Sequence, residues 1–218
     1  MERLDYDVLL FDLDGTLTAS APGMLGGVHH VCREMGLEIP PDDILQQFIG
    51  PPMTTCFSVH FGLEGETLAQ ATRSYRAYYD RQGWMENGVF DGIFHMLTEL
   101  RACGKRLGVA TNKSMQDMTK ITEHFGLAPY FDFMSGSDKS VGRQGKANVI
   151  AYALENLGVR DNSRVVMIGD RKYDVEGAAE KGIAAIGVAY GYGSRAELRN
   201  AGAIHVVETP MELCAILK

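Results

Sequence analysis

Residues 9 to 20 read LLFDLDGTLTAS. An apolar run ends there in two aspartates, Asp12 and Asp14, which flank one leucine and are followed at once by Gly15 and Thr16. A short, unbroken apolar run bounded by turn residues is the pattern of a strand buried on both faces, as in parallel α/β sheets. Two carboxylates crowded at its end repel, and burial worsens the repulsion by disfavouring the charged forms. A compensating positive charge is required.

The first strand is read as Asp7–Phe11, and four segments resemble it: Arg106–Ala110, Tyr130–Met134, Val165–Ile168 and Ile183–Val188. Ile204–Val207 is a weaker candidate. Ile93, Met96, Leu97 and Leu100 share one helical face. So do Met115, Met118, Ile121 and Phe125, and later Val149, Ile150, Ala153, Leu154 and Leu157. From residue 90 onward helices and strands alternate, which predicts an α/β fold with a doubly wound, Rossmann-like parallel sheet.

Residues 18 to 86 break that alternation, and no strand is expected there. Met24, Leu25, Val28, Val31, Cys32 and Met35 mark one amphipathic helix, Ile44–Phe48 a short one, and Leu68, Tyr75, Tyr78 and Tyr79 a long one. Gly50-Pro51-Pro52 reads as a turn. The expected organisation is a Rossmann-like core made of residues 1–17 and 87–218, with a helical insert at 18–86.

The composition narrows the function classes. The chain has 218 residues, 45% of them hydrophobic, which suffices for a core and excludes a disordered chain. Its net charge of −7, with no basic block, argues against nucleic acid as a partner. Four widely spaced cysteines without a CxxC pair are expected to be free thiols rather than a zinc site or disulfides. The apolar run near the N-terminus is too short for a signal-peptide core or a membrane span. The expectation is a soluble, cytoplasmic monomer or homodimer with no membrane partner.

In open parallel sheets, ligands bind beyond the carboxyl ends of the strands. Asp12, Asp14 and Thr16 follow the first strand; Thr111, Asn112 and Lys113 follow Arg106–Ala110. Asp170 and Asp174, in GDRKYDVEGA, follow Val165–Ile168, and Lys146 begins the helix that leads to that strand. A hard divalent cation such as Mg²⁺, which takes one or two carboxylates plus substrate phosphate, answers the crowding of acids.

FDLDGT at 11–16, VATNKS at 109–114, Lys146 in GRQGKANVI and GDRKYD at 169–174 together resemble the haloacid dehalogenase-like superfamily of phosphohydrolases. FIGPP at 48–52 makes the chain most similar to the phosphoglycolate-phosphatase-like subfamily. The resemblance implies that the insert is a helical cap and that Mg²⁺ is held by the Asp12 and Asp170 side chains and the Asp14 carbonyl. Asp174 would act through water or by orienting its neighbours. It implies that Asp12 attacks phosphorus, forming an aspartyl-phosphate, and that Asp14 moves the proton. An i, i+2 pair on an extended strand shares one face, so both carboxylates can address one substrate. Thr111 would hold phosphate oxygens, Lys146 would offset the charge, and Thr16 would support the geometry. Gly15 would let the backbone turn beside the phosphate. Asn112, Arg143 and Gly50 are further candidates for substrate contact, with Ile49 and Pro51 beside Gly50.

The implied activity is hydrolysis of a small phosphorylated metabolite, phosphoglycolate first. 5′-Nucleotidase, sugar-phosphate phosphatase, β-phosphoglucomutase and a non-catalytic phospho-ligand binder are the alternatives. Thr16, and the lack of a basic residue near Gly50, fit a hydrolase better than a mutase. One departure is Asp91 in NGVFDGI, where relatives often carry proline; it is expected to cap the helix at Ile93. Trp84 is expected to close the hinge region. His29-His30 is not expected to be a metal pair, because adjacent helix residues diverge.

Overall fold

The structure, a computed structural model, describes residues 3–218. Strand β1 (Val8–Phe11) is buried along its whole length. That is possible only inside a sheet covered on both faces. Its neighbours are β4 (Arg106–Ser114) and β6 (Val165–Gly169), both parallel to it. With β5 (Phe133–Ser137), β7 (Ala184–Val188) and β8 (His205–Val207), these form one six-stranded sheet in the order β5-β4-β1-β6-β7-β8. The chain lays β4 and β5 on one side of β1 and then crosses to build β6 to β8 on the other. This reversal is the topological switch point at which open α/β sheets place their ligands.

The connecting helices are α5 (Ile93–Ala102), α6 (Met115–His124), α7 (Lys146–Asn156), α8 (Lys172–Glu180), α9 (Arg195–Ala201) and α10 (Pro210–Leu217). Val8 and Leu10 of β1 join Val149, Ile150 and Ala153 of α7 and Val175 and Ala178 of α8 in one apolar cluster. Alternation sends Leu9 and Phe11 to the other face, where Phe11 meets Phe131 edge to face at 6.2 Å. Each such fully buried side chain stabilises the fold by about 1.5–3 kcal/mol.

The chain divides into two compact units: residues up to Ala19 together with Val89–Lys218, and Ser20–Gly88. The second contains α1 (Ala21–Met35), α2 (Asp42–Leu45), α3 (Met53–Phe61) and α4 (Gly65–Arg81). Its core gathers Val28, Val31, Cys32, Phe48, Phe57, Tyr75 and Tyr79. Trp84, expected to close the hinge region, is partly buried and packs against this core. His30 stacks on Tyr78 at 5.2 Å and lies 3.4 Å from Glu34.

Several elements differ from expectation. Thr18–Ala19 forms β2 inside the stretch expected to lack strands, and Gly88–Val89 forms β3 where the chain returns. The strand expected from Tyr130 starts only at Phe133, because Ala128–Tyr130, with Pro129 at its start, forms a 3₁₀ turn. Helix α3 escaped the helical pattern because only Cys56 and Phe57 of its nine residues are buried. Helix α9 escaped because its seven residues bury only Leu198. Helix α10 was missed too, although it buries five of its eight residues. All four cysteines are free, three of them buried. Among the described residues, no helix is long and apolar enough to cross a membrane.

Candidate active site

Register sets the floor of the site. Phe11 pairs with Val109 on one side and Ile168 on the other, so β4 and β6 flank the point where β1 ends. The Asp12 amide donates to the Ile168 carbonyl at 2.9 Å, fixing the first residue beyond β1. The chain then turns tightly: the Gly15 amide donates to the Thr18 carbonyl at 2.8 Å, and the Leu17 amide to the Leu13 carbonyl at 2.9 Å. Gly15 has φ +82°, and a Cβ there would strike the Asp170 carboxylate and the Tyr192 ring. Position 15 therefore requires glycine both for its dihedral and for its space.

Asp12, Asp170 and Asp174 each offer an oxygen, and these lie within 4.8 Å of one another. Lys146, the first residue of α7, reaches the same point. Its Nζ lies 2.8 Å from Asp12 Oδ1 and 2.7 Å from Asp174 Oδ1, and donates to the Ala110 carbonyl at 3.0 Å. The ammonium thus forms ion pairs with two carboxylates and donates to one carbonyl. A helix N-terminus is the wrong end for a cation, so the carboxylates keep this lysine in place. Burial alone would favour neutral Lys146, but Asp12 and Asp174 outweigh it and hold its pKa above the ordinary lysine value.

Three carboxylates against one ammonium leave a negative surplus. Burial, with Asp174 and Asp12 nearby, raises the Asp170 pKa well above the carboxylate range. Burial also raises Asp174 to about 6, although Lys146 pulls the other way. The cluster is all hard oxygen, with no sulfur or imidazole, so a hard divalent cation fits both its charge and its donor type. Asp174 has both oxygens engaged, Oδ1 by Lys146 and Oδ2 by the Arg171 amide at 3.0 Å.

Asp14 stands apart from this cluster. Strand β1 ends at Phe11, so the alternation of an extended strand does not carry Asp14 to the face of Asp12. Asp14 forms an isolated bridge with Thr18, and its Oδ2 pairs with Lys113 Nζ at 2.7 Å. The two crowded acids are thus divided between two lysines.

Thr16 is fully buried, and its hydroxyl donates to Asp170 Oδ1 at 3.5 Å, the long limit of such a bond. Thr111 is buried at the β4 site edge, and its hydroxyl accepts from the Lys113 amide at 3.3 Å. It is not needed as a helix cap: Ser114 caps α6, accepting from the Asp117 amide at 3.1 Å. Asn112 is exposed beside it. Arg143 is engaged elsewhere. Its Nε donates to the Gly136 carbonyl at 2.9 Å, its guanidinium lies 3.9 Å over the Tyr152 ring, and it stands 3.8 Å from Asp138. Gly50 lies in the helical unit with φ +110°. Asp91 caps nothing: the N-cap of α5 is Gly92, one residue later, with no side-chain cap bond.

Sequence reasoning missed the loop Tyr190–Gly193, which follows β7. The Tyr190 hydroxyl donates to the Thr16 carbonyl at 3.0 Å, and the Tyr192 amide to Asp170 Oδ2 at 2.8 Å. Burial and the neighbouring Asp170 raise the Tyr190 pKa, keeping the phenol a donor. A Cβ on Gly191 would run into the Gly15 carbonyl and Asp170. The strand-end rule covers this loop as well, but it contains aromatic residues and glycines rather than acids. Gly191→Ala is expected to lower unfolding free energy by about 1–3 kcal/mol, the usual cost of overpacking. Thermal unfolding checks this, and an unchanged melting temperature would show that the loop can stand off Asp170 without loss.

With this geometry in hand, comparison with known proteins gives the class. Residues 9–188 match the family of haloacid dehalogenase-like hydrolases, and the chain belongs to it. It is 40% identical over 186 residues to the tyrosine-protein kinase PtkA of Mycobacterium tuberculosis, covering 85% of this chain but only 63% of that protein. It is 38% identical over 196 residues to a 5′-nucleotidase of Pseudomonas aeruginosa, covering 90% of this chain and 88% of the relative. A phosphoglycolate phosphatase of Colwellia psychrerythraea is 28% identical over the whole of both chains. The crystal structure of a predicted phosphatase from Clostridium acetobutylicum superposes with a TM-score of 0.87 at 40% identity, covering 97% of this chain and 98% of that one.

Proposed function

We propose that this chain is a Mg²⁺-dependent phosphatase that hydrolyses a small phosphorylated metabolite through an aspartyl-phosphate on Asp12. The observation that carries the reading is the Asp12 carboxylate, held at the strand end by Lys146 and grouped with Asp170 and Asp174.

In the first step an Asp12 oxygen bonds to phosphorus, the ester P–O bond breaks, and the leaving oxygen takes a proton from Asp14. In the second, Asp14 takes a proton from water; that oxygen attacks phosphorus, and the Asp12–phosphorus link breaks to release inorganic phosphate. Lys146 offsets the charge of Asp12 and the phosphoryl oxygens, and Thr111 holds one of those oxygens. Asp12, Asp170 and the Asp14 carbonyl would hold Mg²⁺, which supplies charge stabilisation and orientation when bound. Asp174 keeps Lys146 and the start of α8 in position. Phosphoryl transfer depends mainly on such positioning and charge.

Residues 18–86 are proposed as the cap that selects the leaving group, with Gly50 among the selecting residues. Phosphoglycolate and nucleoside monophosphates are the first substrates to test, since relatives carry both names. A second reading has its own support. The mycobacterial relative is named a tyrosine-protein kinase, and an aspartyl-phosphate can pass its phosphoryl group to a tyrosine hydroxyl instead of water.

The test is a substrate panel with the purified chain and Mg²⁺: phosphoglycolate, nucleoside monophosphates, sugar phosphates, pyrophosphate and p-nitrophenyl phosphate. Phosphate release that stops with EDTA, together with a covalent phosphoenzyme trapped by acid, is expected. With a labelled nucleoside triphosphate as phosphoryl donor and a tyrosine-bearing protein as acceptor, label on tyrosine without free phosphate would favour the kinase reading. No turnover of any phosphoester would leave a phospho-ligand binder. Exchanging residues 46–55 should change the preferred substrate; an unchanged profile would remove the role given to Gly50.

A further inference from the structure

Lys113 belongs to no role assigned so far, yet it makes the one ion pair in which Asp14 takes part among the described residues. Its Nζ lies 2.7 Å from Asp14 Oδ2, and the two side chains are 10% and 25% exposed. The other oxygen, Asp14 Oδ1, is buried and accepts no hydrogen bond. A buried carboxylate oxygen without a donor is uncommon and calls for an explanation. Lys113 holds one oxygen of Asp14 and leaves its partner oxygen unengaged, which is the arrangement a proton carrier needs. Lys113 itself is placed by β4, which runs past Ala110 to Ser114 and brings the lysine two residues beyond Thr111.

We propose that Lys113 is a positioning residue for proton transfer: it anchors Asp14 through Oδ2 so that Oδ1 serves the leaving group and, later, the water. The inference rests on the phosphatase reading above and goes beyond it by assigning the orientation of Asp14 to a specific cation. Lys146 and Lys113 then divide the work. The first supports the nucleophile; the second fixes the proton carrier. The ion pair also keeps Asp14 out of the carboxylate cluster, where a fourth negative charge would add to the repulsion.

A leaving-group series separates this role from a structural one. The ratio kcat/KM reports the steps up to departure of the leaving group, in which only poor leaving groups need a proton. Lys113→Met should lower kcat/KM for an alkyl phosphate such as glycerol phosphate by about 10²-fold, within the usual range for general acid catalysis. For p-nitrophenyl phosphate, which leaves without a proton, the loss should stay below about threefold. Lys113→Arg should recover part of the alkyl phosphate activity. In an Asp14→Asn background, Lys113→Met should have almost no further effect, because residues acting as one unit are not additive. Circular dichroism and melting temperature check that each variant folds.

An equal loss across the series, or a full multiplicative loss on top of Asp14→Asn, would overturn the inference while leaving the phosphatase reading intact. A wild-type chain that releases no phosphate from any member would remove that reading, and this inference with it.

Discussion

Asp12→Asn is expected to lower kcat by at least about 10⁴-fold on every phosphoester the wild type accepts, the scale on which removal of a covalent nucleophile is felt. The two side chains have nearly the same size, so the change is one of chemistry rather than packing. Asparagine offers a neutral amide oxygen and a nitrogen whose lone pair is delocalised, and neither attacks phosphorus effectively. The fold should survive the change, because Lys146 keeps Asp174 at 2.7 Å and the Ala110 carbonyl at 3.0 Å. Burial and mutual repulsion raise the pKa of Asp170 and Asp174, and Asp12 contributes to both. Removing its charge relieves that repulsion but also takes one partner from Lys146, so the two effects oppose each other and the melting temperature in EDTA should change little. Loss of turnover and of the trapped phosphoenzyme, with stability retained, is the expected pairing. Residual turnover within tenfold of wild type would show that another group attacks phosphorus.

The fold was legible because buried parallel strands announce themselves. VLLF, VVMI and the run before Val188 each have too few polar residues to sit anywhere but a covered sheet. The site was legible for the related reason that acids and a lysine placed just past such strands are costly without a ligand. What escaped detection follows from local signals too weak to read. Thr18–Ala19 is two residues long, and α9 buries a single side chain. The Tyr190–Gly193 loop contributes a backbone amide and the absence of Cβ atoms, and neither leaves a charged letter in the sequence. Arg143 shows the converse limit. Its residue type suited substrate contact, but the Gly136 carbonyl and the Tyr152 ring engage it instead. Lys113 stood in view within VATNKS, but its pairing depends on how far β4 runs beyond Ala110, which only the folded chain displays.

Asp170→Asn should uncouple stability from activity in opposite directions. Asp170 is fully buried, and its charged form is opposed first by burial and then by Asp174 and Asp12. The sign follows from proton linkage. A carboxyl whose folded pKa lies above its unfolded value binds more protons when folded, so stability falls as pH rises through that interval. The window runs from the unfolded aspartate value of about 3.9 upward, with Asp174 reaching about 6 in the folded chain. In EDTA, wild-type stability should therefore decline between roughly pH 4 and pH 7. Asparagine at 170 keeps an oxygen for the Tyr192 amide and removes the charge, so the variant should melt higher in EDTA near neutral pH. A gain of about 1 kcal/mol would show as about 2–4 °C for a chain of this size. Mg²⁺ reverses the order. Its ligands must be deprotonated, so its stabilisation of the wild type should be larger at pH 7.5 than at pH 5, whereas the variant should gain little at either. Loss of a ligand that stabilises transition-state charge by several kcal/mol should lower turnover by about 10²-fold or more. Thermal unfolding in EDTA and in Mg²⁺ at the two pH values, run beside the phosphate-release assay, decides the matter. A variant that melts lower in EDTA, or keeps the full Mg²⁺ response, would mean that Asp170 is a structural acid held by Tyr192 rather than a group awaiting a cation.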